Sequence, residues 1–435
     1  MGRGRTLLAV LALATVVGIP PASGRTLHLS DPEPEVLSVP LGQVIVDDGE
    51  WREFLEANLE QDLKHWRAKA PLRANDTWTL YHDFFREHPD WYAIWWMVLV
   101  WKNKLYWLRP GKVEAVGHAP RVAAPFIVAF SDKVSHWLER GHLQLPNVIF
   151  MPRWCGPHRR CVVPLFSGGK TIDHEGEDTD ILIPQVHFGE NVLHTLPWDQ
   201  KHDLAFFRGI PFCSAYWGDP VPHCRTACPR TYLAWRSDLD ARTHRTPAYL
   251  DVGLVEPPFL PWLNDTALFE DFKGCQPDPI PVVPRSPMST HARYKYLVHL
   301  EGIAHSFRLS QLMLTNSLVL FQQQPFIEYF YRSLKPGVHL MQFWNVTPHH
   351  TKSERLDDIY DVIDDLRRRD KADPSDLQRI ITASQSFAVK FLSNSGRARY
   401  LKDALTAYKS LFPDMDAYLE GFVAELRAKG EPLPR

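Results

Sequence analysis

The stretch YKYLVHLEGIAHSFRLSQLMLTNSLVLF, residues 294–321, decides the fold. Residues 294–300 read as a buried strand, and Glu301-Gly302 marks a turn. Residues 303–314 carry apolar side chains at helical spacing, and residues 317–321 form a second apolar run. A strand, a tight turn, a helix and a strand of this length predict a βαβ unit. The unit predicts an α/β fold with a parallel sheet and a right-handed crossover.

Short apolar runs on both sides of this unit predict further elements. Strands are predicted over residues 104–108, 148–151, 162–166, 181–184, 204–207, 249–255 and 338–343. Helices are predicted over residues 51–67, 355–369, 377–392 and 398–411, and residues 122–138 run from a strand-like stretch into a helix.

Composition bounds the class of protein. The chain has 435 residues, of which 45% are hydrophobic, with 49 basic and 51 acidic residues. A net charge of −2 gives no basic excess for binding nucleic acid. The sequence contains no GxSxG motif, Walker loop, HExxH motif or convincing GxGxxG, so hydrolase, NTPase, metalloprotease and classical dehydrogenase interpretations lack support.

The first residues indicate the secretory pathway. Arg3 and Arg5 precede an apolar run over residues 7–18 and small residues up to Gly24, a pattern typical of a signal peptide. An uncleaved anchor is the alternative, although the run is shorter than the ~20 residues that span a bilayer. Sequons begin at residues 75, 264 and 345, and no KDEL-like tail ends the chain.

Six cysteines in such a chain predict disulfides, and Cys155 with Cys161 is one candidate pair. Cys224, Cys228 and the neighbouring His223 match no strong zinc pattern. An acidic loop over residues 173–180 is either a site for a divalent cation or a solvated loop.

Two segments have the residues of a phosphate site. Ser306 and Arg308 follow the Glu301-Gly302 turn at the predicted carboxyl edge of the sheet, where ligands bind in open parallel sheets. Arg208 and Gly209 follow another predicted strand. Hydroxyl and guanidinium groups suit a diphosphate. A surface arginine and a routine helix-start serine are the alternative, and Lys295 with Tyr296 is either a wall of the site or a solvated edge.

The segments Phe207-Arg208-Gly209, 293–297 and 306–308 resemble glycosyltransferase family 90, which includes Rumi-type protein O-glucosyltransferases and capsule-associated xylosyltransferases. The likeness continues through residues 317–319, 328–331 and 334–339, and in weaker form it covers roughly residues 60 to 425. Within residues 290–340 many matching positions fall in register.

The resemblance implies a GT-B fold, in which two Rossmann-like domains face each other across a cleft. It implies a UDP-glucose or UDP-xylose donor, a hydroxyl acceptor on a protein or glycan, inversion at the anomeric carbon and no metal cofactor. In this picture Arg208 and Arg308 hold the diphosphate. The complete set of implied donor-binding residues is Arg208, Gly209, Lys295, Tyr296, Leu297, His299, Leu300, Ser306 and Arg308.

The resemblance also exposes a departure at the catalytic base. In the family an Asp takes the proton of the acceptor hydroxyl, but the matching segment here reads Arg153-Trp154-Cys155-Gly156-Pro157. His158 and Asp173 are the candidate substitutes. The alternative function is a catalytically inactive relative that binds a glycan or a protein.

The predicted organisation follows from these patterns. A signal peptide covers residues 1–24, a Pro-rich linker residues 25–48, and an acceptor-side Rossmann-like domain residues 49–197. A nucleotide-sugar domain covers residues 198–350, and helices cover residues 351–430. The predicted location is the lumen of the endoplasmic reticulum or Golgi, or outside the cell, without a stable membrane span.

Overall fold

Strands and helices of the N-terminal half surround an antiparallel sheet. The computed structural model describes residues 34–87, 97–109, 112–115, 125–152, 161–173, 176–186, 191–211, 229–255, 280–302, 305–344 and 358–430. The first strands and helices are β1 (Leu37–Pro40), α1 (Asp48–Ala57), α2 (Leu59–Arg67), α3 (Ala74–Glu87), β2 (Met97–Trp101), β3 (Lys104–Arg109), β4 (Lys112–Ala115) and α4 (Pro125–Glu139). They are followed by β5 (Val148–Phe150), β6 (Phe166–Ser167), β7 (Lys170–Asp173), β8 (Gly176–Glu177), β9 (Ile181–Leu182) and β10 (Val192–Thr195).

The C-terminal half is built on a parallel sheet and ends in helices. Its first elements are β11 (His202–Gly209), α5 (Pro229–Arg242), β12 (Leu250–Leu254), α6 (Met288–His291), β13 (Tyr294–His299), α7 (Leu309–Leu312), β14 (Leu318–Gln322), β15 (Phe326–Ile327) and β16 (Met341–Phe343). The closing helices are α8 (Asp358–Ala372), α9 (Pro374–Phe387), α10 (Asn394–Lys409) and α11 (Met415–Ala428), with a π-helical turn over Ala388–Leu392 between α9 and α10.

The parallel sheet has the strand order β12-β11-β13-β14-β16. Every residue of β14 is buried, as expected of a strand covered on both faces. Helices α5, α8 and α9 cover one face of the sheet, where their side chains pack in one cluster with Phe207 of β11 and Tyr296 of β13. Phe206 and Leu297 lie on the other face, in the larger core that includes the N-terminal half and α10. The predicted α/β class, with a parallel sheet and C-terminal helices, is confirmed.

The βαβ prediction is correct in its strands and wrong in its helix. β13 and β14 pair in parallel from Tyr296 opposite Leu318 onward. Among the described residues 305–314, however, only Leu309–Leu312 are α-helical. Phe307 and Arg308 form a turn ahead of α7, so Ser306 and Arg308 lie in a loop and not within a long helix. Apolar spacing cannot distinguish a buried loop with one helical turn from a continuous helix.

The described part of the N-terminal half contains an antiparallel sheet, and the Rossmann-like domain over residues 49–197 stays a prediction. Its main described sheet, β4-β3-β2-β5, is antiparallel throughout. Lys102 and Asn103 have positive φ angles of 47° and 59°, as a tight two-residue hairpin between β2 and β3 requires. The helix predicted over residues 51–67 is two helices broken at Asn58, whose side-chain amide donates to Phe54 O at 2.8 Å.

Helix α10 holds both halves of the chain. Its Tyr408 hydroxyl donates to the carbonyl of Ile149 in β5, at 3.1 Å. On the other side its buried Arg397 donates to the Ser310 hydroxyl in α7, at 2.8 Å. The described residues from Val36 onward form one compact unit, and the predicted domain boundaries stay predictions. Among the described helices, none is long and apolar enough to cross a membrane.

Candidate functional site

The candidate site lies at the carboxyl edge of the parallel sheet, and we refer to the region just outside the ends of β11 and β13 as the crevice. From β11 the chain first adds β12 on one side and then β13 on the other, so the order of the sheet reverses at this point. In open α/β sheets, ligands bind at such a reversal, outside the carboxyl ends of the strands. β11 ends here at Gly209 and β13 at His299.

Arg230, in the first turn of α5, closes the bottom of this crevice. Its guanidinium donates to Ile210 O at 2.9 Å, Leu300 O at 3.3 Å and Glu301 O at 2.6 Å. It therefore ties the end of β11 to the end of β13. Burial, followed by the charge of Arg308, lowers the pKa of Arg230 to about 9. Sequence analysis missed this residue, although Pro229 at the helix start was a usable signal.

Arg308 brings a second guanidinium to the same place. Its Nη1 donates to the carbonyl of Arg208, and its guanidinium carbon lies 5.4 Å from the centre of the Phe207 ring. Arg230 lies 5.6 Å from the same ring. Burial and the charge of Arg285 lower the pKa of Arg308 to about 10. The buried Arg230 and the half-buried Arg308 carry like charges beside one ring and repel each other, and a bound phosphate would relieve that repulsion.

Arg208 contributes its backbone to the crevice, while its side chain turns elsewhere. The guanidinium bends back over Gly253 and pairs with the Asp251 carboxylate at 2.7 Å. Asp251 also accepts from the Tyr294 hydroxyl at 2.7 Å. The structure thus joins Arg308 to the main chain of Arg208 and commits the Arg208 guanidinium to Asp251. Binding of one diphosphate by the guanidinium groups of both Arg208 and Arg308 stays a prediction.

A Cβ atom would clash at two glycines of the site, Gly169 and Gly209, and would make a tight contact at a third, Gly302. A Cβ atom at Gly209 would lie 2.4 Å from the Phe207 ring, and one at Gly302 would lie 3.1 Å from Nη2 of Arg230. A Cβ at Gly169 would lie 2.2 Å from the His305 ring. The loop between β6 and β7 therefore packs against the residue next to Ser306, and the N-terminal half forms part of the site.

The structure separates Lys295 from the other predicted donor-binding residues. Lys295 is the second residue of β13, so it lies near the amino edge of the sheet, opposite the crevice. Its amine pairs with Asp370 at 2.8 Å and lies 5.0 Å from the Trp198 ring. Side-chain alternation along a strand carries no information about which end faces a ligand, which is why sequence reasoning grouped this residue with Arg308.

The remaining β13 residues differ in what they offer. Tyr296, Leu297 and Leu300 are completely buried in the hydrophobic clusters, so their side chains support the sheet from within. His299 is also buried, but its Nε2 lies 3.2 Å from the Tyr331 hydroxyl. Tyr331 in turn donates to Glu328, a buried acid that sequence analysis missed as a site candidate. Its signal was a single carboxylate between the apolar runs 326–327 and 329–331.

The two base candidates stay predictions. His158 lies outside the described residues. Asp173 ends β7, where its backbone pairs with Gly176 of β8.

One acid of the acidic loop, Glu177, is paired with two cations. Glu177 pairs with the buried Lys170 at 2.5 Å and with Arg332, and both cations also pair with Asp62 in α2. Across the described ranges, no three His, Cys, Asp or Glu side chains come close enough to hold a metal ion. Cys161, the one cysteine in those ranges, is disulfide-bonded.

Comparisons with known proteins point to the same region. Residues 263–417 match the family model described as glycosyl transferase family 90. The chain is 25% identical over 289 residues to protein O-glucosyltransferase 1 of Rattus norvegicus, an alignment that covers 59% of each chain. It is 29% identical over 163 residues to O-glucosyltransferase rumi of Drosophila pseudoobscura pseudoobscura, covering 37% of this chain and 32% of the fly protein. The chain thus spans less than two thirds of these relatives' lengths.

Among solved structures, HepE of Anabaena in complex with UDP and glucose matches 48% of this chain and 49% of its own. The identity is 12% and the TM-score is 0.29. The resemblance that the sequence indicated is confirmed by the family model and the curated relatives.

Proposed function

We propose that this chain transfers a sugar from a UDP-sugar to a hydroxyl group of a protein, because residues 263–417 match the model of glycosyl transferase family 90. The curated relatives are named O-glucosyltransferases, which favours glucose as the transferred sugar and a protein as the acceptor. UDP-xylose is the other donor to test. The single observation that carries the proposal is the pair of the buried Arg230 and the half-buried Arg308, whose guanidinium groups lie at the reversal of the sheet.

The two arginines have different parts in this proposal. Three backbone carbonyls occupy Arg230, so it fixes the width of the crevice and contributes its charge. Arg308 makes a single hydrogen bond to the described part of the chain, which leaves N–H groups for the diphosphate. As the bond between the anomeric carbon and the phosphate oxygen breaks, the leaving UDP gains negative charge, and both guanidinium groups stabilise it. Arg208 would join them only by releasing Asp251.

The finer parts of the proposal come from the resemblance. The reaction inverts the anomeric carbon without a metal ion, and His158 or Asp173 takes the proton of the acceptor hydroxyl. The chain works in the lumen of the secretory pathway after its signal peptide is cleaved. These features support one another, because a disulfide at Cys161 and an exposed sequon at Asn75 suit that compartment.

Thermal shift with UDP, UDP-glucose and UDP-xylose tests the donor site. A ligand at a hundredfold excess over its Kd stabilises the folded state by ~2.7 kcal/mol. We expect Arg308→Gln to lose this shift, since its neutral amide cannot replace the forked charge. The matched control is Lys295→Met, which removes a cation from the same sheet at its opposite edge and should keep the shift.

Two results would contradict the proposal. If no nucleotide stabilises the protein, the donor site does not exist. If Arg308→Gln keeps the full shift, the site lies elsewhere. Nucleotide binding without sugar transfer or donor hydrolysis would instead support the inactive relative.

A further inference from the structure

Three buried side chains form a hydrogen-bonded chain behind the end of β13. The Tyr331 hydroxyl donates to Oε1 of Glu328 at 3.1 Å and lies 3.2 Å from Nε2 of His299. The exposed fractions are 1% for His299, 3% for Glu328 and 9% for Tyr331. Tyr331 has one proton, which it donates to Oε1 of Glu328, and that oxygen accepts whether the acid is ionised or carries its proton on Oε2. Its oxygen must therefore accept a hydrogen from Nε2 of His299.

This network assigns the tautomer of the imidazole. With the hydrogen on Nε2, the Nδ1 atom keeps a bare lone pair and acts only as an acceptor. The Gln324 amide also lies on the Nε2 side, at 3.4 Å, and an amide offers either a donor or an acceptor there. Gln324 therefore leaves the choice of tautomer to Tyr331.

Packing confines the ring in this orientation. The His299 ring stacks on Phe321 with centroids 5.1 Å apart and an angle of 13° between the planes. The Tyr331 ring meets the same Phe321 edge-on, at 5.6 Å. A ring flip would break the contact with Tyr331 and turn Nε2 away from it. The Nδ1 lone pair therefore has a fixed direction.

Charges around His299 keep it neutral. Burial, together with Arg230, Arg308 and His305, lowers the pKa of His299 well below its usual range. Nδ1 is buried and has no hydrogen-bond partner among the described residues. A buried acceptor without a donor is costly, which indicates that a ligand supplies the donor.

The chemistry of that ligand follows from the lone pair. Phosphate oxygens are acceptors themselves and cannot pair with Nδ1, whereas a hydroxyl group donates to it. A nucleotide sugar has hydroxyl groups on its ribose and on its transferred sugar, on either side of the diphosphate. We propose that His299 accepts a hydrogen bond from a hydroxyl of the nucleotide sugar, and that Tyr331 and Glu328 are positioning residues that hold the imidazole in its accepting tautomer. This inference rests on the proposed function.

Titration calorimetry with pyrophosphate, UDP and UDP-glucose tests the inference. His299→Leu should weaken binding of a hydroxyl-bearing ligand about tenfold, the effect of one lost hydrogen bond, and leave pyrophosphate unchanged. His299→Asn places an acceptor oxygen near the position of Nδ1 and should restore most of the affinity. Tyr331→Phe keeps the ring but removes the hydroxyl, so its loss should lie between the two. If His299→Leu weakens the binding of both UDP and UDP-glucose, the donating hydroxyl belongs to the ribose. If it weakens the binding of UDP-glucose alone, the hydroxyl belongs to the transferred sugar.

Other outcomes overturn the inference. Equal weakening for all three ligands, pyrophosphate included, means that the residues only support the cationic crevice. Unchanged affinity in Tyr331→Phe and His299→Leu means that no hydroxyl reaches Nδ1. If His299→Leu does not fold, His299→Asn and Tyr331→Phe still test the inference. Affinity for UDP and UDP-glucose that is unchanged in Tyr331→Phe is then the refuting result. If the wild-type protein binds neither UDP nor UDP-glucose, the proposed function is refuted as well. If the wild type binds them and the variants bind them with the same affinity, only this inference is refuted.

Discussion

Replacing Arg230 by Met should both loosen the fold and weaken nucleotide binding. The guanidinium makes three hydrogen bonds to backbone carbonyls of residues that directly follow β11 and β13. Hydrogen bonds to charged groups are worth ~1.5–3 kcal/mol each, and water that replaces the guanidinium recovers part of this. Methionine fills most of the volume but donates to none of the carbonyls. We therefore expect a loss of about 4 kcal/mol in the free energy of unfolding.

That loss can be read as a melting temperature. At ~2.1 cal/mol/K per residue, a chain of 435 residues has an unfolding entropy of about 0.9 kcal/mol/K. Arg230→Met should therefore melt about 4 °C lower by calorimetry. Its affinity for UDP should fall at least about tenfold, because the crevice loses one cation and its fixed width.

A matched control lies on the same helix. Arg242 is 46% exposed and pairs with Asp238 one turn away, an interaction worth at most about 0.5 kcal/mol. Arg242→Met should therefore melt within about 1 °C of the wild type and bind UDP normally. The reasoning is refuted if Arg230→Met behaves like this control in both measurements.

Three further substitutions probe neighbouring contacts. Burial raises the pKa of Glu328 to about 8, so the folded state binds a proton more tightly than the unfolded state. The stability that this proton contributes is lost as the pH rises from about 4.5 to 8. Glu328→Gln cannot titrate and should therefore show a smaller fall in the free energy of unfolding over that pH range, measured by chemical denaturation. Gly169→Ala should displace His305 and weaken UDP binding in calorimetry. Lys170→Met strips the buried Asp62 of one of its two cations and should cost about 3 kcal/mol in urea unfolding.

Each of these substitutions has a clear contrary result. A wild type and a Glu328→Gln variant with parallel pH profiles would show that Glu328 is ionised in the folded protein at neutral pH. Gly421→Ala, at a helix position with open space around the new Cβ, controls for Gly169→Ala and should leave UDP binding unchanged. Unchanged UDP binding in Gly169→Ala would mean that the loop between β6 and β7 shifts to accept the methyl group without displacing His305. Asp48→Asn breaks an exposed ion pair with Arg399 and should cost under about 1 kcal/mol, and a similar value for Lys170→Met would contradict the buried-network argument.

Sequence patterns predicted the parallel sheet because its strands are buried on both faces. Residues 318–321 are apolar without a break, which is typical of a strand covered on both faces. The helix after Gly302 was overestimated, since apolar residues from Phe307 to Met313 recur at helical spacing although only Leu309–Leu312 are helical among the described residues. The fourth closing helix, α11, was missed at the end of the chain. The antiparallel sheet of the N-terminal half depends on pairings that local spacing cannot reveal.

The site was predicted in part for a similar reason. Arg308 was found because it follows a strand and a glycine turn, a relation that is local in sequence. Arg230 comes from a different segment and reaches the crevice only through the tertiary fold. The commitment of Arg208 to Asp251 on the neighbouring strand is equally invisible before folding. Local motifs therefore located one wall of the crevice, and long-range contacts supplied the other.

The boundary of the family match has a practical consequence for producing this protein in pieces. The matched segment begins at residue 263, after β11 and β12 have already been made, yet β11 lies beside β13 in the middle of the sheet. An excised fragment of residues 263–417 would expose an apolar strand with unpaired backbone groups, which is a template for aggregation. A soluble truncation must start ahead of His202 and retain α10, which forms hydrogen bonds to both β5 and α7.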